Sequence, residues 1–89
     1  MLTQPELQEI LTRMPGAVEA SVITDRSRFI ATVVSPLFRG EHEAERQAKV
    51  WDYLYPLLGD DGMRTIEFIF VNTPEEQATL EGNGTAVGA

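Results

Sequence analysis

Leu7, Ile10, Leu11 and Met14 recur at the i, i+3, i+4, i+7 spacing of a single helical stripe. Just upstream, Thr3-Gln4-Pro5-Glu6 is a capping-box signal: a hydroxyl for the amide three residues on, a proline in the first turn and a glutamate that reaches back. Pro15-Gly16 stops the pattern, so a first helix is predicted over residues 4–14. The period then changes to two. Val18, Ala20 and Val22 alternate with Glu19 and Ser21, and Phe29, Ala31 and Val33 alternate with Ile30, Thr32 and Val34. The polar stretch Thr24-Asp25-Arg26-Ser27 suits a hairpin connection between these two strands. The second strand is apolar on both faces and is expected to be the more buried. Ser35-Pro36 closes it, because proline cannot donate to a ladder.

Residues 35–40 read as a loop or single turn. From Glu41 to Leu58 the helical period returns: Ala44, Ala48, Trp51, Tyr55 and Leu58 trace one face, flanked by Val50, Leu54 and Leu57. Glu41, Glu43 and Glu45 sit where they complement the positive end of the helix dipole. Pro56 is expected to kink or end the last turn, and Gly59-Asp60-Asp61-Gly62 to make a turn. Ile66, Phe68 and Phe70 then alternate with Thr65, Glu67, Ile69 and Val71 as a third strand. Thr73-Pro74-Glu75-Glu76 repeats the capping box and opens a short helix. From Glu81 on, apolar content is too low to hold order, which predicts one domain over residues 1–80 and a disordered tail over 81–89. Two amphipathic helices need a common partner, so the fold class is α+β, a three-stranded sheet with helices on one face. Periodicity gives neither strand order nor direction.

Composition narrows what such a domain does. The chain has 89 residues, 7 basic against 14 acidic, and a net charge of −7. That balance opposes nucleic acid and anionic lipid unless the cations gather on one face. Five of them, Arg26, Arg28, Arg39, Arg46 and Lys49, gather if the hairpin and the second helix start share a side. The alternative, favoured by the nearby Glu41, Glu43 and Glu45, is scattered and screened cations. With no cysteine there is no disulfide, thiolate ligand or nucleophilic thiol. The first residues lack the basic start and apolar run of a signal peptide, and no stretch approaches the ~20 apolar residues of a membrane span. A cytoplasmic location without membrane association is expected.

No catalytic or metal-binding constellation stands out. His42 is the only histidine, and on a helix only Glu45 and Arg46 share its face, a poor first shell for zinc. Ser21, Ser27 and Ser35 lie in no nucleophile motif. Asp60-Asp61 is flanked by glycine and reads as turn chemistry, and Gly82-Asn83-Gly84 precedes no expected helix that would cradle a phosphate. Glu67 is expected on the outer or edge face of its strand. No cofactor is expected. A small enzyme built on His42 is the weakest of the functional readings.

Several stretches in order resemble the BolA family: Val34-Ser35-Pro36-Leu37-Phe38-Arg39-Gly40, Glu45-Arg46, Val50-Trp51-Asp52-Tyr53-Leu54, Ile66-Glu67-Phe68-Ile69 and Thr73-Pro74-Glu75-Glu76. Members of that family show a serine before Phe-x-Gly, an Arg-His pair, a Val-Tyr-x-x-Leu helix, an Ile-His-Ala-Leu strand and a Thr-Pro-x-Glu ending. The resemblance spans about residues 3–77 and implies a class-II KH-like αββ(α)αβ fold. It also implies partnership with monothiol glutaredoxins around a shared [2Fe–2S] cluster, and DNA binding in some bacterial members. This chain departs where the cluster ligands would be. The Arg-His pair reads Arg46-Gln47, the strand histidine falls on Glu67, and the ligand-bearing hairpin loop is cut to Thr24-Asp25-Arg26-Ser27. Glutamate oxygen is a hard donor, whereas cluster iron takes thiolate or imidazole. The helix-to-helix G-x-x-G loop of RNA-binding KH domains is missing too.

The scaffold without its ligands points to a non-enzymatic regulatory or protein-interaction module. Its expected surface is the Phe38–Lys49 region, with Phe38, Arg39, Gly40, Arg46 and Lys49, together with the outer face of strand three at Glu67; Arg39, Arg46 and Glu67 are the expected polar anchors. The alternatives are a nucleic-acid-binding regulator and a glutaredoxin partner in iron–sulfur handling. A homodimer is expected if strand three is a sheet edge, because an unpaired ladder invites a partner.

Overall fold

The computed structural model describes the backbone through Gly88 and side chains through Gly82. The elements run α1 (Gln4–Thr12), β1 (Glu19–Asp25), β2 (Arg28–Val34), a short 3-10 turn (Pro36–Phe38), α2 (Glu43–Arg64), β3 (Ile66–Asn72) and α3 (Pro74–Gly88). The tail expected over 81–89 lies, from residue 83 on, outside the fully described residues.

α1 starts as its sequence dictates. Glu6 N–H donates to Thr3 Oγ1 at 3.3 Å, and Thr3 N–H donates to Glu6 Oε1 at 2.9 Å. Thr73 and Glu76 make the same reciprocal pair at the start of α3. Each box satisfies two amides that a helix start otherwise leaves without partners.

The sheet order is β1-β2-β3, with β1–β2 antiparallel and β2–β3 parallel. A parallel pair needs a long crossover, and α2 supplies it. The central position of β2 explains its double-sided apolar pattern. On one face Val22, Phe29, Ala31, Val33, Ile66, Ile69 and Val71 join Leu7, Leu11, Val50 and Leu54 in a single core beneath α1 and α2. The fold is therefore α+β with a three-stranded sheet, as expected, and the structure adds that the sheet is mixed.

The hairpin is tighter than its four polar residues suggest. Asp25 pairs with Arg28, leaving only Arg26 and Ser27 to turn, and Arg26 takes a φ of 60°. A side chain in the left-handed region costs about 1–2 kcal/mol. Arg26→Gly removes that cost but gives the unfolded chain more freedom, so a net gain of about 0.5 kcal/mol is expected. In a domain this size that raises Tm by about 2–4 °C in a thermal melt. A lower Tm would contradict it.

Three expectations need correction. In α2 the buried centre is Val50 and Leu54, while Trp51 and Leu58 are half-buried and Ala44, Ala48 and Tyr55 are exposed. Burying a valine or leucine gains about 1.5–3 kcal/mol, well above an alanine, and so fixes which way the helix turns. Pro56 does not end α2, because it removes only one amide near the end of the first segment. The break comes at Gly59 (φ 69°, ψ 178°), and a further helical segment runs to Arg64 in place of the expected turn. In β3 the partners step from Phe29–Ile66 to Ile30–Phe68, so Glu67 is an extra residue at a bulge. One extra residue reverses the alternation that follows it. Ile66, Ile69 and Val71 face the core, and Phe68 and Phe70 face out.

Candidate functional site

β3 is an edge strand, yet its free side is occupied. Asn72 carbonyl accepts from Ser35 N–H on the β2 side, so Ile69 and Val71, of opposite parity, point their carbonyls the other way. Two neighbouring residues of α2 reach these carbonyls. Gln47 Nε2 donates to Ile69 O at 2.8 Å, and Arg46 Nη1 donates to Val71 O at 3.2 Å. Strand addition, the route by which an edge would build a homodimer, meets side chains here rather than open carbonyls.

Arg46 is the hub of a polar clamp. Its Nε donates to Glu41 O at 3.0 Å, and Nη1 lies 2.7 Å from Glu76 Oε1. That pairing, helped by the Thr73 amide bond, holds the Glu76 carboxyl at about 2 and pushes the Arg46 guanidinium up. Beside it Arg39 Nε donates to Glu75 Oε1 at 2.8 Å and Arg39 Nη2 to Glu75 Oε2, lowering the Glu75 carboxyl and raising the guanidinium. α3 is thereby fastened to the rest of the fold through its first turn. Lys49 Nζ pairs with Glu41 Oε2 at 2.6 Å, while Glu41 Oε1 is buried with no hydrogen-bond partner among the described residues.

The expected surface residues therefore divide. Arg39, Arg46 and Lys49 lie at one end of α2 and are each paired with an acid of the chain. Gly40 (φ 77°) makes the turn into α2. Phe38 does not belong to a surface: it is 1% exposed and part of the core. Ser35 Oγ accepts from Leu37 N–H at 3.1 Å, and the one-turn helix that follows carries Phe38 inward and Leu37 outward. Glu67 is exposed at the bulge, at the opposite end of β3 from the clamp. Screening of the cations is real, but the acids that neutralise Arg39 and Arg46 are on α3, not at the start of α2. Arg28 donates to Ile66 O at 2.9 Å, and Arg26 forms no ion pair among the described residues.

His42 caps α2, and its backbone N–H donates to Glu45 Oε1 at 3.2 Å. Among the described residues no three His, Asp or Glu side chains come together as a metal site. No helix of the described residues is long and apolar enough to cross a membrane.

The most distinctive surface lies along β3, whose outer face is part of the expected surface through Glu67, but the residues that make it are Phe68 and Phe70, which the sequence does not place there. Phe68 and Phe70 are 47% and 50% exposed, with ring centroids 4.7 Å apart at 73°, edge to face. The same sheet face carries Ile23 opposite Ile30, which in turn lies opposite Phe68, so an apolar row crosses all three strands. Between these rings and α2 runs a groove lined also by Glu43, Gln47 and Trp51. These three are spaced i, i+4, i+8 and linked: Gln47 Nε2 donates to Glu43 Oε2 at 2.7 Å, and Trp51 Nε1 donates to Gln47 Oε1 at 2.8 Å. The spacing was a legible signal. That it faces two outward phenylalanines depends on the bulge.

No protein-family model and no curated protein matches the chain. Solved structures do. A bol-like protein from Babesia bovis superposes with a TM-score of 0.65 at 25% identity, covering 91% of this chain and 95% of that one. The BolA domain of SufE1 from Arabidopsis thaliana gives 0.63 at 23% identity, covering 85% and 99%. BolA1 from the same plant gives 0.61 at 21% identity, covering 85% and 98%. From the Thr3 cap of α1 to the Thr73 cap of α3, the chain is BolA-like in its fold.

Proposed function

We propose that this chain is a non-enzymatic protein-interaction module on a BolA-like scaffold, one that docks its partner along the outer face of β3 and does not share an iron–sulfur cluster in the family's manner. The observation that carries the reading is the exposed Phe68–Phe70 pair beside Trp51, whose rings touch each other and continue across the sheet through Ile30 and Ile23 as one contiguous apolar face. The positions where the resemblance places cluster ligands hold Glu67 and a two-residue turn. In one structural relative the fold is a domain of a named protein, SufE1, which agrees with a modular role. Five of the seven cations pair with the chain's own acids, which favours a protein over a nucleic acid as partner.

Two measurements test this. Mixed with a monothiol glutaredoxin, iron and sulfide, the chain is expected to add no visible absorption band. A band that requires both proteins and disappears in Glu67→Ala would overturn the cluster-free reading. For the surface, wild type and a Phe68→Ser/Phe70→Ser variant serve as paired baits in quantitative capture. A protein held by the wild type and lost by the variant is the expected result; identical retention by both removes β3 as the docking face.

A further inference from the structure

The groove beside β3 has a chemistry that selects its occupant, and this inference rests on the docking reading above. It encloses about 430 Å³, with Trp51, Phe68 and Phe70 as its aromatic walls. Ring faces carry the negative side of the aromatic quadrupole and attract cations. The single charged residue of the lining is Glu43. Among the described residues Glu43 has no ion pair; its carboxylate accepts only from the neutral Gln47 amide. Arg46 feels the field of Glu43, but its donors are committed to Glu76 and to the carbonyls of Glu41 and Val71.

The groove is also set before anything enters it. Gln47 is held by two acceptors, Glu43 and Ile69 O, and it fixes the Trp51 indole through Nε1–H. Phe68 and Phe70 hold one another edge to face. Ordered aromatic walls with an uncompensated carboxylate at one end fit a flat cation that stacks on a ring and donates in its own plane. A guanidinium does both, whereas an ammonium is compact and strongly hydrated. A second copy of this chain is a poor occupant, since it brings another −7 to the contact.

We propose that the groove receives an arginine side chain from a basic segment of the partner protein. Trp51 is the only tryptophan in the chain, so its emission reports on the groove directly. The probe is a blocked pentapeptide, Gly-Leu-Arg-Leu-Gly, titrated beside the same peptide with neutral citrulline in place of arginine. A saturable change in Trp51 emission is expected with the arginine peptide, at least tenfold weaker with citrulline. Glu43→Gln, which keeps an acceptor for Gln47, is expected to weaken arginine binding several-fold and to flatten its salt dependence. No saturable change, or equal affinity for the two peptides, overturns the proposal. So does an emission change that depends on the protein's own concentration and accompanies a doubling of mass in sedimentation, because the occupant would then be a second copy. The two readings fail separately. A partner lost by the Phe68→Ser/Phe70→Ser bait while both peptides bind alike sinks the arginine inference and leaves the docking face standing.

Discussion

Phe38→Ala is expected to lower stability by about 3–5 kcal/mol, the range for truncating a buried phenylalanine. A domain of this size has on the order of 5–10 kcal/mol in total, so the variant should be barely folded at 25 °C. The size of the effect follows from placement. Phe38 is 1% exposed and shares the core with Leu7, Leu11, Val33, Val50 and Leu54. It reaches that core from a single 3-10 turn, which has little backbone slack to close the cavity left behind. Leu37, its neighbour in the same turn, points outward, and Leu37→Ala is expected to cost less than about 1 kcal/mol. Urea denaturation of the two variants makes the comparison, read as a change of midpoint at constant slope. Equal losses would mean that the turn, not the phenylalanine, carries the stability.

Phe38 also shows where reading the sequence stops. Residues 35–40 have no period to assign an inside and an outside, so an aromatic there looks like a surface anchor until the core is seen to extend over it. Elements with a local cause were legible. Thr3–Glu6 and Thr73–Glu76 specify their helix starts within four residues, and the polar break after Ile23 specifies the hairpin. The features that depend on distant pairing were not. The bulge at Glu67 arises from how β3 meets β2, and it reverses the outlook of Phe68 and Phe70 although their spacing is unchanged. The screening of Arg39 and Arg46 was anticipated, but by glutamates close in sequence. The ion pairs instead run to Glu75 and Glu76 on another helix. Gln47 stands where the resemblance expects a histidine, and only the fold shows that it covers a strand carbonyl and orients a tryptophan.

Arg46→Met is expected to cost about 2 kcal/mol near neutral pH, and the loss should shrink but not vanish in acid. Two contributions separate by their pH dependence. The carbonyls of Glu41 and Val71 lose a charged donor, and an acceptor left without its partner in a partly buried site costs about 1–3 kcal/mol at any pH. The pair with Glu76 contributes less, because that carboxylate is half exposed and screened. Its share depends on ionisation. The Glu76 carboxyl titrates at about 2 in the folded chain, well below an ordinary glutamate. A depressed carboxyl stabilises the fold fully above its unfolded value and loses that contribution as pH falls through the folded one. The gap between wild type and Arg46→Met should therefore be constant from neutral pH to about 5 and narrow towards pH 2, settling on the carbonyl contribution. Glu76→Gln isolates the other part: it removes the charge but leaves Arg46 on its carbonyls, so its loss should be the smaller of the two and should fade over the same acid range. Denaturation curves for the three proteins from pH 2 to 7 decide the matter. A loss in Arg46→Met that disappears entirely in acid would show that Arg46 acts only as a counter-ion. A loss that persists leaves it as the group that closes the edge of β3, and the variant, with Val71 O uncovered, should then self-associate more readily than Glu76→Gln.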